Sequence, residues 1–154
     1  MTTDAPTAAG DGGAVDPVSS LLPGVSKAHR KLAGRLLDEL GLSPGQELLL
    51  MLLWEESPRT QADLIRLLMV EPPTTAKMLA RLEKSGFVAR EQSTTDGRVV
   101  LVRPTPAGRD LEGPVTTTRA QLEELTTADL SNAEREQLGK LLSRVGETLV
   151  SRLA

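Results

Sequence analysis

The chain has 154 residues, a formal net charge of −3, 39% hydrophobic residues and 25% charged residues. This ordinary globular composition excludes wholesale disorder and allows one domain with a core. The sequence contains no cysteine, which excludes disulfides, thiolate catalysis and thiol redox sensing.

The start of the chain shows no basic patch followed by an apolar run, so no signal peptide is expected. The longest continuous apolar run covers residues 48–54 and is far too short to span a bilayer. We therefore expect a cytoplasmic protein with no membrane partner.

The charge is unevenly distributed along the chain. Residues 1–58 contain four Lys/Arg and eight Asp/Glu, residues 59–109 contain nine and five, and residues 110–154 contain five and eight. The positive charge is thus concentrated between two acidic ends, as a localised phosphate-binding face would require.

The first elements in chain order are a tail and two helices. Residues 1–16 are small, polar and rich in glycine, and they predict a disordered tail. Residues 18–40 place apolar side chains at helical spacing, and Gly41 suits the end of that helix. Ser43-Pro44-Gly45-Gln46 predicts a capped second helix, and its apolar run from 48 to 54 predicts a position in the middle of the structure.

Two short helices are predicted next. Thr60-Gln61-Ala62-Asp63 predicts a capped helix with Leu64, Leu67 and Leu68 directed inward. Glu71-Pro72-Pro73 closes a tight turn and begins another helix, which Gly86 ends.

A hairpin and two further helices complete the chain. The β-rich runs 87–92 and 99–103 flank a polar tip and predict a hairpin. Thr105-Pro106 starts a long helix that Gly113-Pro114 must kink or split. Ser131-Asn132-Ala133-Glu134 is a capping box for the last helix, whose apolar seam consists of Leu138, Leu141, Leu142, Val145 and Leu149.

The helix between Pro72 and Ser85 has two distinct faces. One face carries Thr75, Leu79 and Leu82, and the other carries Thr74, Lys77, Arg81 and Lys84. Such a helix fits the major groove of B-DNA, where Lys and Arg can meet phosphates or the acceptor edge of guanine. A basic stripe of this kind also occurs on solvated helices. The capped helix before it and the basic hairpin after it favour DNA binding.

The hairpin supplies a second candidate DNA-contacting element. Basic and hydroxyl side chains lie on or beside it: Arg90, Thr94, Thr95, Arg98 and Arg103. Arg98 is the candidate for a narrow minor groove, whose enhanced negative potential attracts an inserted Arg. Asp96 is expected to shape the tip by bonding turn amides or by pairing with Arg98. The alternative is an Asp-Gly turn without a function.

Several fragments of the sequence resemble one known family. Gly86-Phe87-Val88-Ala89-Arg90, Asp96-Gly97-Arg98, Val99-Val100-Leu101-Val102 and Thr105-Pro106-Ala107-Gly108 follow the order and spacing of the winged helix-turn-helix core of MarR transcription regulators. Residues 79–86 are similar to the end of the family's recognition helix, and residues 41–46 resemble the start of its second helix. Thr75 stands where that family usually has an aliphatic residue, and Ala76 where it often has a hydroxyl residue.

The resemblance implies a mainly helical α+β fold with a single domain over residues 17–154. In this fold residues 42–104 form the winged helix-turn-helix core, and residues 17–41 and 105–154 form dimerisation helices. It further implies a homodimer on pseudo-palindromic double-stranded operator DNA. Such a dimer is usually a repressor, often released by a small-molecule effector, and needs no cofactor or metal.

Site roles are carried over by matching position. Thr74, Lys77 and Arg81 take recognition-helix roles, Arg98 takes that of the wing arginine, and Asp96 that of its partner. The complete candidate set for DNA contact is Thr60, Gln61, Thr74, Thr75, Lys77, Arg81, Lys84, Arg90, Thr94, Thr95, Asp96 and Arg98.

Two other functional classes were weighed. A winged-helix module that binds protein is disfavoured by the positive middle segment and by Arg98 at the tip. A small helical enzyme is disfavoured because no Cys, no Tyr and one His leave few groups for nucleophilic or acid–base chemistry. The sequence therefore predicts a regulator and not an enzyme.

Overall fold

The computed structural model describes residues 14–154, so most of the predicted disordered tail lies outside the described residues. Helices and strands follow in this order: α1 Val18–Asp38, α2 Gln46–Glu55, β1 Arg59–Thr60, α3 Gln61–Leu68, α4 Pro72–Lys84, β2 Val88–Gln92, β3 Val100–Pro104, α5 Pro106–Asp110, α6 Glu112–Thr126 and α7 Asn132–Leu153. The mainly helical α+β fold class is thus confirmed.

The start of α2 differs from the prediction. Ser43 was expected to cap the helix with Pro44 in its first turn, but α2 begins only at Gln46. A turn precedes it because Gly45 takes φ 99°, a conformation that glycine adopts without steric cost. Part of the predicted capping arrangement remains, since the backbone N–H of Ser43 donates to Gln46 Oε1 at 2.8 Å.

Helix α2 is central on one side only. Leu49, Leu50 and Leu53 are fully buried, whereas Leu48 and Met51 are exposed. These two side chains border an open apolar cavity between α2 and α3, together with Leu67 and Leu68. The predicted central position of this helix therefore holds for one of its faces only, and the inward assignment of Leu67 is wrong.

Helices α3 and α4 form a helix-turn-helix. The Thr60 hydroxyl caps α3 by accepting the N–H of Asp63 at 3.0 Å, as predicted. Met69 then takes a left-handed conformation at φ 54° and turns the chain, and Pro72 stands in the first turn of α4. Gly86, at φ 80°, follows the end of α4, again as predicted.

A three-stranded antiparallel sheet forms the wing in the order β1-β3-β2. The predicted hairpin is confirmed, with Val88 opposite Pro104 and Gln92 opposite Val100. The two-residue strand β1 was not predicted; it pairs Arg59 with Val102. The sheet thereby fastens the start of α3 to the hairpin.

The chain after the wing forms three helices. The predicted split near Gly113-Pro114 is present, since α5 ends at Asp110 and α6 begins at Glu112. The predicted capping box between Ser131 and Glu134 starts α7. Helix α7 buries none of its own residues, and within residues 14–154 no helix is long and apolar enough to cross a membrane.

Candidate nucleic-acid interface

The outer face of α4 is an exposed basic surface near the wing. Thr74, Lys77, Arg81 and Lys84 are exposed, while the opposite face of the helix packs into the core. Among the described residues no carboxylate lies within 4.0 Å of the charged groups of the three cations. These side chains are therefore available to an anionic partner.

Thr75 belongs to the core and is removed from the candidate contact set. Its relative exposure is 0%, equal to that of Leu79 one turn later. Residues four apart share one face of a helix, so Thr75 and Leu79 both lie on the side of α4 that packs against α3 and β2. Within the described part of the chain, residues 14–154, the Thr75 hydroxyl has no hydrogen-bond partner.

We expect Thr75→Val to stabilise the fold. Valine has nearly the same shape, and a buried polar group without a partner costs about 1–3 kcal/mol. The melting temperature should rise by about 2–12 °C for a chain of this length. The matched control is Thr74→Val at the exposed neighbouring position, which should leave the melting temperature unchanged. A lower melting temperature for T75V would show that the hydroxyl has a partner.

Arg90 is already matched to a carboxylate. Its Nη2 lies 3.0 Å from Glu83 Oε1 and its Nε donates to Glu83 Oε2 at 3.3 Å. This hydrogen bonding raises the pKa of Arg90 above its ordinary value and lowers the pKa of Glu83. The pair joins the last turn of α4 to β2, so it fixes the recognition helix against the wing.

The wing tip has the arrangement expected for Asp96 and Arg98. One Asp96 carboxylate oxygen accepts the backbone N–H of Arg98 at 3.1 Å and its Nε–H at 3.3 Å. The Arg98 side chain remains 92% exposed. Thr95 bonds Ser93 through its hydroxyl at 2.9 Å, and Thr94 is exposed. The tip is thus a shaped turn that presents one arginine to solvent.

A groove joins the start of α3 to the wing. Thr60, Gln61 and Ile65 line one wall, and Arg98 and Val100 line the other, around a cavity of about 380 Å³. The structure therefore brings Thr60 and Gln61 close to Arg98, although 37 positions separate Gln61 from Arg98 in the sequence.

Arg30 was not predicted to belong to this surface. It lines a small cavity of about 170 Å³ with Thr74, Lys77 and Arg81 of α4. The only indication of this in the sequence is the basic cluster of Lys27, Arg30 and Lys31 on α1. Nothing in the neighbouring sequence predicts that this cluster lies near α4. The fold thus places the positive charge of Arg30 beside the basic face of the recognition helix.

The chain is similar to a known protein family and to a solved structure of a regulator. The family model described as "MarR family" matches residues 42–100. A solved structure of a probable transcriptional regulator from Pseudomonas aeruginosa is 30% identical, has a TM-score of 0.79 and covers 84% of this chain and 97% of that one. The chain belongs to the MarR family.

Two further relatives of this MarR-family protein carry descriptive names. The Bacillus subtilis organic hydroperoxide resistance transcriptional regulator is 35% identical over 88 residues, 57% of this chain and 60% of that regulator's length. An E. coli MarR variant solved with operator DNA is 27% identical and has a TM-score of 0.76. The match covers 84% of this chain and 93% of the MarR chain. The prediction of a transcription regulator, and not an enzyme, is confirmed by the family.

Proposed function

We propose that this MarR-family regulator is a homodimeric repressor that binds pseudo-palindromic operator DNA and is released by a small-molecule effector. One observation carries the proposal: the cations of α4, which pair with no carboxylate of residues 14–154, and Arg98 at the wing tip are exposed together on a winged helix-turn-helix frame. A protein-binding winged helix would not need this charge arrangement.

Helix α4 and the wing tip contact different grooves of the DNA. Lys77 and Arg81 lie on the exposed face of α4, which enters the major groove, and Lys84 at its end meets phosphate. Arg98 at the tip enters the neighbouring minor groove, with Asp96 holding its backbone in place. Thr60, Gln61 and Thr74 add polar groups beside these cations, and Thr94 and Thr95 do so at the wing.

Arg90 has a different role in this arrangement. Because its guanidinium is engaged by Glu83, it acts by holding α4 and the wing at a fixed angle. Only the exposed part of the Arg90 side chain, 29% of its surface, can contact DNA.

Dimerisation is supported by the apolar surface that the described chain leaves uncovered. The exposed large apolar side chains of α1 are Val18, Leu21 and Val25, and those of α7 are Leu138, Leu141, Leu142, Leu149, Val150 and Leu153. Two-fold pairing of identical helices would bury these stripes. Residues 17–41 and 105–154 then pair the subunits, and residues 42–104 of each subunit contact one half-site.

A cavity between α2 and α6 is the proposed effector site. It measures about 310 Å³ and is lined by Met51, Trp54 and Val115 together with the charged groups of Glu55, Glu112 and Arg119. It separates the winged core from the pairing helices. A ligand releases DNA only if it binds the DNA-incompetent arrangement more tightly. The signal is not thiol oxidation, because this sequence contains no cysteine.

Selection of genomic fragments by the purified full-length protein tests the proposal. The bound fragments should share two half-sites related by two-fold symmetry, with centres about one helical turn or a multiple of it apart. The mass of the complex should correspond to two chains per fragment. Enrichment of fragments without a repeated half-site, or one chain per fragment, would contradict the proposal.

A further inference from the structure

A hydrogen-bonded junction connects the end of α4 to α5. The Thr105 backbone N–H donates to Phe87 O at 3.0 Å, and the Thr105 hydroxyl donates to Gly86 O. The same hydroxyl oxygen accepts the N–H of Gly108 at 3.1 Å. Gly86 and Phe87 follow the recognition helix directly, so α5 rests on the segment that ends α4.

Gly108 makes the closest backbone contact in this junction. A Cβ atom at this position would lie 2.0 Å from the carbonyl oxygen of Phe87, so only glycine fits. The Gly108 carbonyl in turn accepts the indole N–H of Trp54 at 3.1 Å. Three segments distant in sequence, the ends of α2 and α4 and the start of α5, are thereby joined.

Trp54 also forms part of the cavity between α2 and α6. The cavity is lined by Trp54 and Met51 from α2 and by Val115 and Thr116, among others, from α6. An occupant that fills the cavity would therefore contact Trp54, whose indole N–H is bonded to Gly108. Because protein interiors are close-packed, a rotation of this ring must break that hydrogen bond or move Gly108.

From this connection we infer that Trp54 is a positioning residue that couples occupancy of the α2/α6 cavity to the orientation of α4 on DNA. The inference rests on the proposed function, since it assumes that α4 contacts DNA. The coupling runs from the cavity through the indole ring to the Gly108 carbonyl, and from there through the Phe87 backbone to the end of α4. Trp54 itself does not touch DNA.

A double-mutant cycle tests the coupling without an identified ligand. Thr116→Phe fills the cavity from α6 in the full-length protein, with Thr116→Leu as a smaller filling in case the larger one disturbs folding. Trp54→Phe keeps an aromatic ring but removes the N–H donor. The matched control is Thr117→Phe, the same change at the next, exposed position, which does not line the cavity. Each variant is titrated with the genomic duplex selected above, and its melting temperature is recorded.

Fluorescence supplies a readout that a merely structural role would not change. Trp54 is the only tryptophan and the chain has no tyrosine, so the emission reports this junction alone. T116F should shift the emission maximum to shorter wavelength and T117F should not. Addition of the duplex to the unmodified protein should also shift the maximum.

We expect T116F to weaken duplex binding by about fivefold or more, within the usual range of coupling between two sites. In the W54F background the same filling should weaken binding by less than about twofold, because the donor that transmits it is absent. T117F should bind like the unmodified protein. Equal losses from T116F in both backgrounds, or unchanged binding by T116F, T116L and W54F, would overturn the inference alone. Failure of the unmodified protein to bind any duplex would overturn the proposed function and the inference with it.

Discussion

Gly108→Ala is expected to lower the melting temperature by about 10 °C or to prevent folding. The added methyl group would lie 2.0 Å from Phe87 O, a backbone atom. Because a Cβ atom is held rigidly by its own backbone, only a backbone shift can relieve the contact. Overpacking of this kind costs about 1–3 kcal/mol or more, and each hydrogen bond that is broken adds about 1 kcal/mol. That sum is a large share of the about 5–15 kcal/mol that holds a domain together.

Gly113→Ala is the matched control for this measurement. Gly113 lies in the first turn of α6, five positions after Gly108, and no atom lies within 4 Å of its would-be Cβ. Because alanine is a better helix former than glycine, the melting temperature of the Gly113→Ala variant should equal that of the unmodified chain or lie slightly above it. Thermal unfolding followed by circular dichroism checks both variants. A G108A protein that melts within about 2 °C of the unmodified chain would contradict the observed packing.

Loss of the exposed cations should reduce DNA affinity in distinguishable ways. Arg81→Ala, which removes a candidate base contact, should cost about 1–3 kcal/mol per half-site, mostly on the selected duplex. Lys84→Ala should weaken binding to all sequences alike and reduce the salt slope by about one unit per lost phosphate contact. Arg98→Ala should weaken binding most on sites with A·T-rich flanks, where the minor groove is narrow.

Titration of selected and scrambled duplexes at several salt concentrations separates these effects. Lys140→Ala is the control, because Lys140 is a cation of α7 outside the candidate contact set and already pairs with Glu136 at 2.8 Å. It should bind both duplexes like the unmodified protein. Parental affinity and an unchanged salt slope for both R81A and R98A would show that α4 and the wing do not contact DNA.

Features encoded by neighbouring residues were predictable from the sequence. The Thr60 cap, the Gly86 helix end and the Ser131–Glu134 capping box each depend on residues a few positions apart, and the hairpin pairs two runs that a short polar tip connects. Turn and cap chemistry fixes such features locally. The split between α5 and α6 followed from Gly113-Pro114 in the same way.

Features that depend on distant residues were not predictable. The bond from Trp54 to Gly108 joins positions 54 residues apart, and β1 exists only because Arg59 and Thr60 meet β3. The sequence therefore placed position 54 only within the apolar run of a central helix. Thr75 shows a related limit: helical spacing placed it on the inner face, yet residue type suggested a DNA contact, and its complete burial decides for the core.

The most direct measurement of DNA recognition is the salt dependence of binding by the full-length, unmodified protein to its selected duplex. Phosphate contacts release counterions, so the logarithm of the binding constant should fall linearly with the logarithm of salt concentration. A dimer with several phosphate contacts on each half-site should give a slope of several units, together with about a thousandfold or greater preference over scrambled duplex. Binding without salt dependence, or no preference for any duplex, would contradict the assignment of α4 and the wing as the DNA-reading surface.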